Sequence, residues 1–360
     1  MSQARDPRAA LRKARRVVVK IGSSSLARDP RAHDRLAEAV SALREEGKQV
    51  VIVSSGAIAL GTKKLGYRAR PKEMARLQAA AAAGQSLLMR AYEEAFGRVS
   101  INVAQVLLTH ADLADRTRAN NARHALSALL DAGCVPILNE NDSVSVEEIK
   151  FGDNDELSAM VAPLVAADVL VLLSDVEGLL DGQGKRVGVI HDVAAEALPL
   201  VRAKKSDVGT GGMASKIEAA RRATLAGAHV VIADARREDV LLRIFGGEDE
   251  GTVFVAGARR LPAKKHWIAF TLRPRGDLWL DAGAAEAVRS KGRSVLGVGV
   301  LGVRGEFRTG DSVRLLAPDG NELGRGLARC ASTEAVVRAG KKDENEENAV
   351  LVHRDELVVW

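Results

Sequence analysis

"RVVVKIG", Arg16 to Gly22, is the stretch that decides the fold. Three valines, a lysine and an isoleucine follow one another without alternation of apolar and polar residues. A strand with one wet face alternates, so a uniform run of this length is expected to be covered on both faces. The same pattern returns downstream in "KQVVIVSSG", "VAQVLLT", "CVPILNEND", "DVLVLLSD" and "AHVVIAD". Between these runs lie helical patterns: "DRLAEAVSALREEG", an alanine-rich stretch from Pro71 to Phe96 expected to bend near Gly84, "TRANNARHALSALLDAG", "ELSAMVAPLVAA" and "MASKIEAARRATLAG". Strand and helix in alternation predict an α/β fold, an open and mainly parallel sheet sandwiched by helices.

The pattern changes near residue 258. "ARRLPAKKHW" is a basic, proline-containing join, and beyond it short runs separated by turn signals predict a small, mostly β domain. The expected organisation is a basic N-terminal extension at 1–16, a first domain at 17–257, a join at 258–274 and a second domain at 275–360.

Charge follows the same division. The net charge is +6, from 53 lysines and arginines against 47 aspartates and glutamates. Residues 1–16 carry six basic groups and one acid, and residues 258–340 carry fifteen and eight. Any polyanion partner therefore belongs to the ends of the chain, where the plain alternative is a solvated surface with a frayed basic N-terminus. Two distant cysteines exclude a disulfide framework, and no stretch is apolar enough for a membrane span, so a reducing cytoplasm is the expected setting.

In a parallel sheet, ligands bind beyond the carboxyl ends of the strands. Four polar clusters fall there: "KIGSSS" from Lys20, including Gly22; Ser54, Ser55 and Gly56; Asn139 to Asp142; and Ser174 with Asp175. A fifth segment, "GTGGMASK" at 209–216, opens a helix. Its glycines leave backbone N–H groups free to face an anion. It lacks the spacing of a Walker loop, and its force comes from Lys216 in the first helical turn.

For phosphoryl transfer, two lysines from distant parts of the chain, Lys20 and Lys216, would neutralise the moving group, with Asp155 or Asp153 orienting them. A carboxylate acceptor is already ionised at neutral pH and needs no general base. None of the seven histidines lies in the clusters. Asp142 would take a substrate ammonium, while Ser55 and asparagine amides hold carboxylate oxygens.

Taken in order, "VVVKIGSSSL", "IVSSGAIALG", "ILNENDSVS", "EIKFGDNDELSA", "LLSDVEGL" and "GTGGMASK" resemble the amino acid kinase family over about residues 15–257. The "SSGAI", "NEND" and "GDND" pieces are similar to its glutamate-phosphorylating branch. Residues 262–356 resemble a PUA domain. The resemblance implies an ATP-dependent kinase that converts L-glutamate to γ-glutamyl phosphate at the start of proline synthesis. It implies Lys20 and Lys216 at the transferred group, and Ser55, Gly56, Asn139, Asp142 and Asn154 around glutamate. It further implies Gly22, Ser174, Asp175, Thr210, Gly211, Gly212, Met213, Ala214, Ser215 and Lys216 at the nucleotide, and Lys150 on a loop that shares in inhibition by proline. Mg²⁺ would arrive on the nucleotide phosphates rather than in a dedicated cage, and a homo-oligomer is expected. Two departures stand out: "LDGQGKR" within the nucleotide-side loop 178–187, and "KKDENEENA" before "VHRDE". The alternatives are a sister kinase acting on aspartate or acetylglutamate, and an RNA-binding protein working through its C-terminal domain.

Overall fold

The computed structural model describes residues 6–144, 154–203, 212–257, 261–342 and 349–359. Lys150, Asp153, Thr210, Gly211 and most of "KKDENEENA" lie outside them. The chain divides into two compact units, Met1–Arg260 and Leu261–Trp360.

The first unit is built on an eight-stranded sheet. Its strands are β1 (Arg16–Ile21), β2 (Gln49–Ser54), β3 (Val103–Leu108), β4 (Val135–Glu140), β5 (Val169–Ser174), β6 (Val189–Ile190), β7 (His229–Asp234) and β8 (Thr252–Phe254), in the spatial order 3-4-2-1-5-7-8-6. β1 to β5 and β7 run parallel. β8 pairs antiparallel with β7 and parallel with β6, two short strands for which the sequence carries no clear signal. β1, expected to be covered on both faces, sits between β2 and β5 with Val17, Val18 and Val19 fully buried.

Period-two geometry then sorts the side chains. Val17, Val19 and Ile21 join a core made with the Ala32–Glu45, Met74–Arg98 and Val240–Phe245 helices. Val18 joins the opposite core, made with the Arg116–Asp131, Asn154–Leu164 and Met213–Leu225 helices. Lys20 has the parity of Val18, so it faces the second layer at the carboxyl end of β1.

The alanine-rich helix is continuous from Met74 to Arg98. Gly84 lets it touch the Ala57–Lys64 helix: a Cβ at Gly84 would meet the Ala57 carbonyl oxygen at 1.7 Å, and one at Gly61 the Ala80 oxygen at 1.7 Å. One expectation fails. The N-terminus is not a frayed basic tail from residue 7 onward. Pro7–Arg12 is a helix with Leu11 fully buried. The buried Arg8 guanidinium donates to the carbonyls of Glu248 and Glu250, each at 2.8 Å, and to Asp249. An arginine's five donors fit such a nest of acceptors.

The second unit holds a six-stranded sheet of β9 (Gly276–Leu280), β10 (Val295–Leu296), β11 (Val300–Gly305), β12 (Ser312–Leu316), β13 (Glu322–Ala328) and β14 (Val350–Val359), ordered 10-14-13-12-9-11. It is antiparallel apart from the β12–β9 pair. Its own core gathers Leu278, Leu280, Val313, Leu315, Val352 and Leu357. Some of its basic groups are paired with acids: Arg314 grips Asp277 through two hydrogen bonds, and Arg325 and Arg338 pair with Glu322 and Glu334.

Candidate active site

The carboxyl ends of β1, β2, β4 and β5 bring Lys20, Ser54 and Ser55, Asn139, and Ser174 to one edge of the sheet. Two helices begin at that edge, Asn154–Leu164 and Met213–Leu225, and they pack against each other. Their first turns supply Asn154, Asp155, Ser215 and Lys216.

Asp155 is fully buried between two ammonium groups. Lys20 pairs with Oδ1, while Lys216 Nζ donates to Oδ2 at 3.0 Å and Ser215 Oγ to the same oxygen at 3.1 Å. Lys20 and Lys216 are themselves 7% and 5% exposed. Burial pushes the Asp155 carboxyl up, but the fields and hydrogen bonds of Lys20 and Lys216 outweigh it and hold the group below the usual carboxylate range. Its place in the first helical turn also favours the anion. The cluster carries one net positive charge in a nearly dry setting, a suitable anchor for a transferring phosphoryl group.

Asn154, one residue earlier, faces the other way. Its Nδ2 donates to the Ser54 carbonyl at 2.6 Å, to Ser55 Oγ at 2.7 Å and to Asn139 Oδ1 at 3.0 Å. Asn154, Ser55 and Asn139, with Ser23, Gly56, Thr62, Arg70, Glu140 and Asp142, line a cavity of about 330 Å³, within the range of small-molecule pockets. Gly56, two residues past β2, sits at φ +113, a conformation that favours glycine, and turns the chain into the Ala57–Lys64 helix. Consecutive residues of one helix thus set an ammonium pair and a polar cavity side by side.

On the other flank, Ser174 Oγ hydrogen-bonds Asp175 at 3.2 Å, and Arg236 donates to the Asp175 carbonyl at 3.1 Å. Gly212 caps the Met213–Leu225 helix, so Met213, Ala214 and Ser215 begin it. In the "LDGQGKR" segment, Asp181 accepts from the Gln183 and Lys185 backbone, each at 2.9 Å, and folds the turn. Among the described residues no group of three His, Cys, Asp or Glu side chains is placed to hold a metal.

Sequence reasoning missed Arg70, whose loop "YRARPKE" gives no reason to prefer it over its basic neighbours. It also missed Gln85 and Tyr92 on the Met74–Arg98 helix. Tyr92 donates to Ser54 Oγ at 2.8 Å, and burial raises its phenol above the usual value, keeping it neutral. A signal for Gln85 existed: it shares a helix face with Ala81, Leu88 and Tyr92, where an apolar residue is expected.

The model of the amino acid kinase family matches residues 15–234, and that of the PUA domain residues 276–348. The chain belongs to the amino acid kinase family. Within that family its relatives are glutamate 5-kinases. That of Cupriavidus metallidurans is 46% identical over 96% of this chain and 98% of its own length, and that of Azoarcus sp. 46% identical over 97% and 99%. Among solved structures, the carbamate kinase of Giardia superposes with a TM-score of 0.49 at 16% identity, covering 67% of this chain and 98% of that one. Among the described residues, no helix is long and apolar enough to cross a membrane.

Proposed function

We infer that the chain transfers the γ-phosphoryl group of ATP to the side-chain carboxylate of L-glutamate, giving γ-glutamyl phosphate and ADP. The observation that carries this reading is the Lys20–Asp155–Lys216 cluster standing one residue from the cavity at Asn154. Relatives at nearly full coverage support glutamate as the acceptor over aspartate, acetylglutamate or RNA.

In this reading a γ-carboxylate oxygen attacks the terminal phosphorus, the bond to the β–γ bridging oxygen breaks, and ADP leaves with that electron pair. No proton needs to move, so a site without histidine suffices. Lys20 and Lys216 turn from Asp155 towards the equatorial phosphoryl oxygens as negative charge spreads there. Asp155 sets their spacing. Asp142 takes the substrate ammonium, and Arg70 balances the two acids of the cavity by facing the α-carboxylate. Ser174, Asp175 and the start of the Met213–Leu225 helix hold the nucleotide. Among the described residues no cluster of carboxylates or histidines forms a metal cage, so Mg²⁺ would be carried by the phosphates, whose charge it partly neutralises. Proline, a smaller zwitterion, would act as feedback inhibitor of what is then its own first biosynthetic step. A cytoplasmic homo-oligomer fits this role.

The test is to trap acyl phosphate with hydroxylamine while offering glutamate, aspartate or N-acetylglutamate with MgATP. Glutamate is expected to exceed the other two at least tenfold in kcat/KM. Equal turnover of N-acetylglutamate would overturn the assignment.

A further inference from the structure

Gln85 projects from the Met74–Arg98 helix beneath the cavity floor and is 9% exposed. Its Oε1 accepts from Asn139 Nδ2 at 2.9 Å. Its own Nε2 is buried and has no partner among the described residues. A sealed amide with an unused donor costs about 1–3 kcal/mol, so a leucine there would pack at lower cost. The oxygen must therefore serve some end that outweighs the idle nitrogen.

That end is legible in the hydrogen bonds beyond it. With Nδ2 committed to Gln85, Asn139 turns Oδ1 to the Glu140 N–H at 2.9 Å and to Asn154 Nδ2 at 3.0 Å. Asn154 presents its donor side to Asn139, as the Ser54 carbonyl at 2.6 Å also requires, and Ser55 Oγ accepts from it at 2.7 Å. A hydroxyl that accepts in this way keeps its proton to donate elsewhere. Every amide in the row points the same way: the Glu140 N–H and the Ser54 carbonyl set that sense, and Gln85 gives the Asn139 Nδ2 its acceptor.

We propose that Gln85 is a positioning residue for phosphoryl transfer: by accepting from Asn139 it holds the Gln85–Asn139–Asn154–Ser55 relay in place, so that the Ser55 hydroxyl donates into the cavity to an acidic substrate. This rests on the reading of the cavity as the glutamate pocket. Gln85 does not line the cavity and meets it only through Asn139, so it acts as a positioning residue rather than a substrate contact.

A thermodynamic cycle separates this role from simple support of the fold. Gln85→Leu removes the acceptor and leaves the buried Asn139 Nδ2 without its partner, which loosens the relay. Asn139→Asp replaces the amide by two acceptors, which hold the Asn154 donor in place whatever residue 85 is. Gln85→Leu in the otherwise native chain should raise the KM for glutamate about tenfold, with the KM for ATP within twofold. In the Asn139→Asp background the same change should cost less than threefold. The glutamate-induced rise in Tm gives the same cycle if Asn139→Asp turns over too slowly to read. An unchanged KM in the single variant, or equal losses in both backgrounds, would overturn the proposal. An unmutated chain that yields no hydroxamate from glutamate would instead sink the pocket assignment beneath it.

Discussion

On one side of the Asn154–Asp155 step, three charged groups are buried together. On the other, amides, hydroxyls and three charged side chains line a cavity. On the proposed reading the first side stores charge, with Lys20 and Lys216 held on a carboxylate until a stronger anion arrives. The second side is built from short hydrogen bonds with fixed senses, which suits a ligand recognised by shape. One helix start serves both because successive residues at its first turn point about 100° apart. The difference teaches that the two sides are sorted by electrostatic character; on the proposed reading one meets the phosphoryl donor and the other the acceptor, and each should fail in its own way.

Asp155→Ala should do the most damage. It leaves two buried ammonium groups without a counterion, a loss of about 3–5 kcal/mol by analogy with broken buried pairs. Chemical denaturation should report it, together with loss of turnover. Lys216→Ala should lower kcat by about 10²–10³, the usual cost of one electrostatic contact to a transition state. It should leave the KM for glutamate within a few-fold, and equal losses in both constants would blur the division between the two sides. Asp142→Asn is the mirror experiment, raising the KM for glutamate about tenfold with kcat nearly kept.

Acidity gives the finest contrast. The Asp155 carboxyl titrates lower in the fold than in the unfolded chain. Its contribution is therefore complete above the ordinary carboxylate value of about 3.9 and disappears as pH falls through the lower folded one. The stability gap between the native chain and Asp155→Ala should be flat at neutral pH and narrow only in that acid window. A gap that narrowed near neutrality would mean the carboxyl is not held in its charged form.

The sequence makes the frame readable for a physical reason. "VVVKI" is apolar on both faces because β1 is covered on both, and its lysine stands out where the strand ends. Lys216 and Asp155 are equally visible at helix starts. What it hides depends on distant packing. Gly84 reads as a weak point in a helix, yet its role lies in the Ala57 carbonyl it lets approach. Arg8 reads as one charge in a basic tail, yet its partners lie some 240 residues away. "VAQVLLT" reads as a buried strand, whereas β3 is the sheet's edge and only half buried. Gln85 gives itself away only as a polar residue on an apolar face, and its partner Asn139 is 54 positions distant.

The most direct test of the central claim is a crystal structure with L-glutamate and a non-hydrolysable MgATP analogue. The account predicts that the terminal phosphate lies within hydrogen-bond reach, about 3 Å, of both Lys20 and Lys216 Nζ, with the glutamate γ-carboxylate facing it from the Asn154 side. A phosphate seated elsewhere, with both lysines still closed on Asp155, would contradict it.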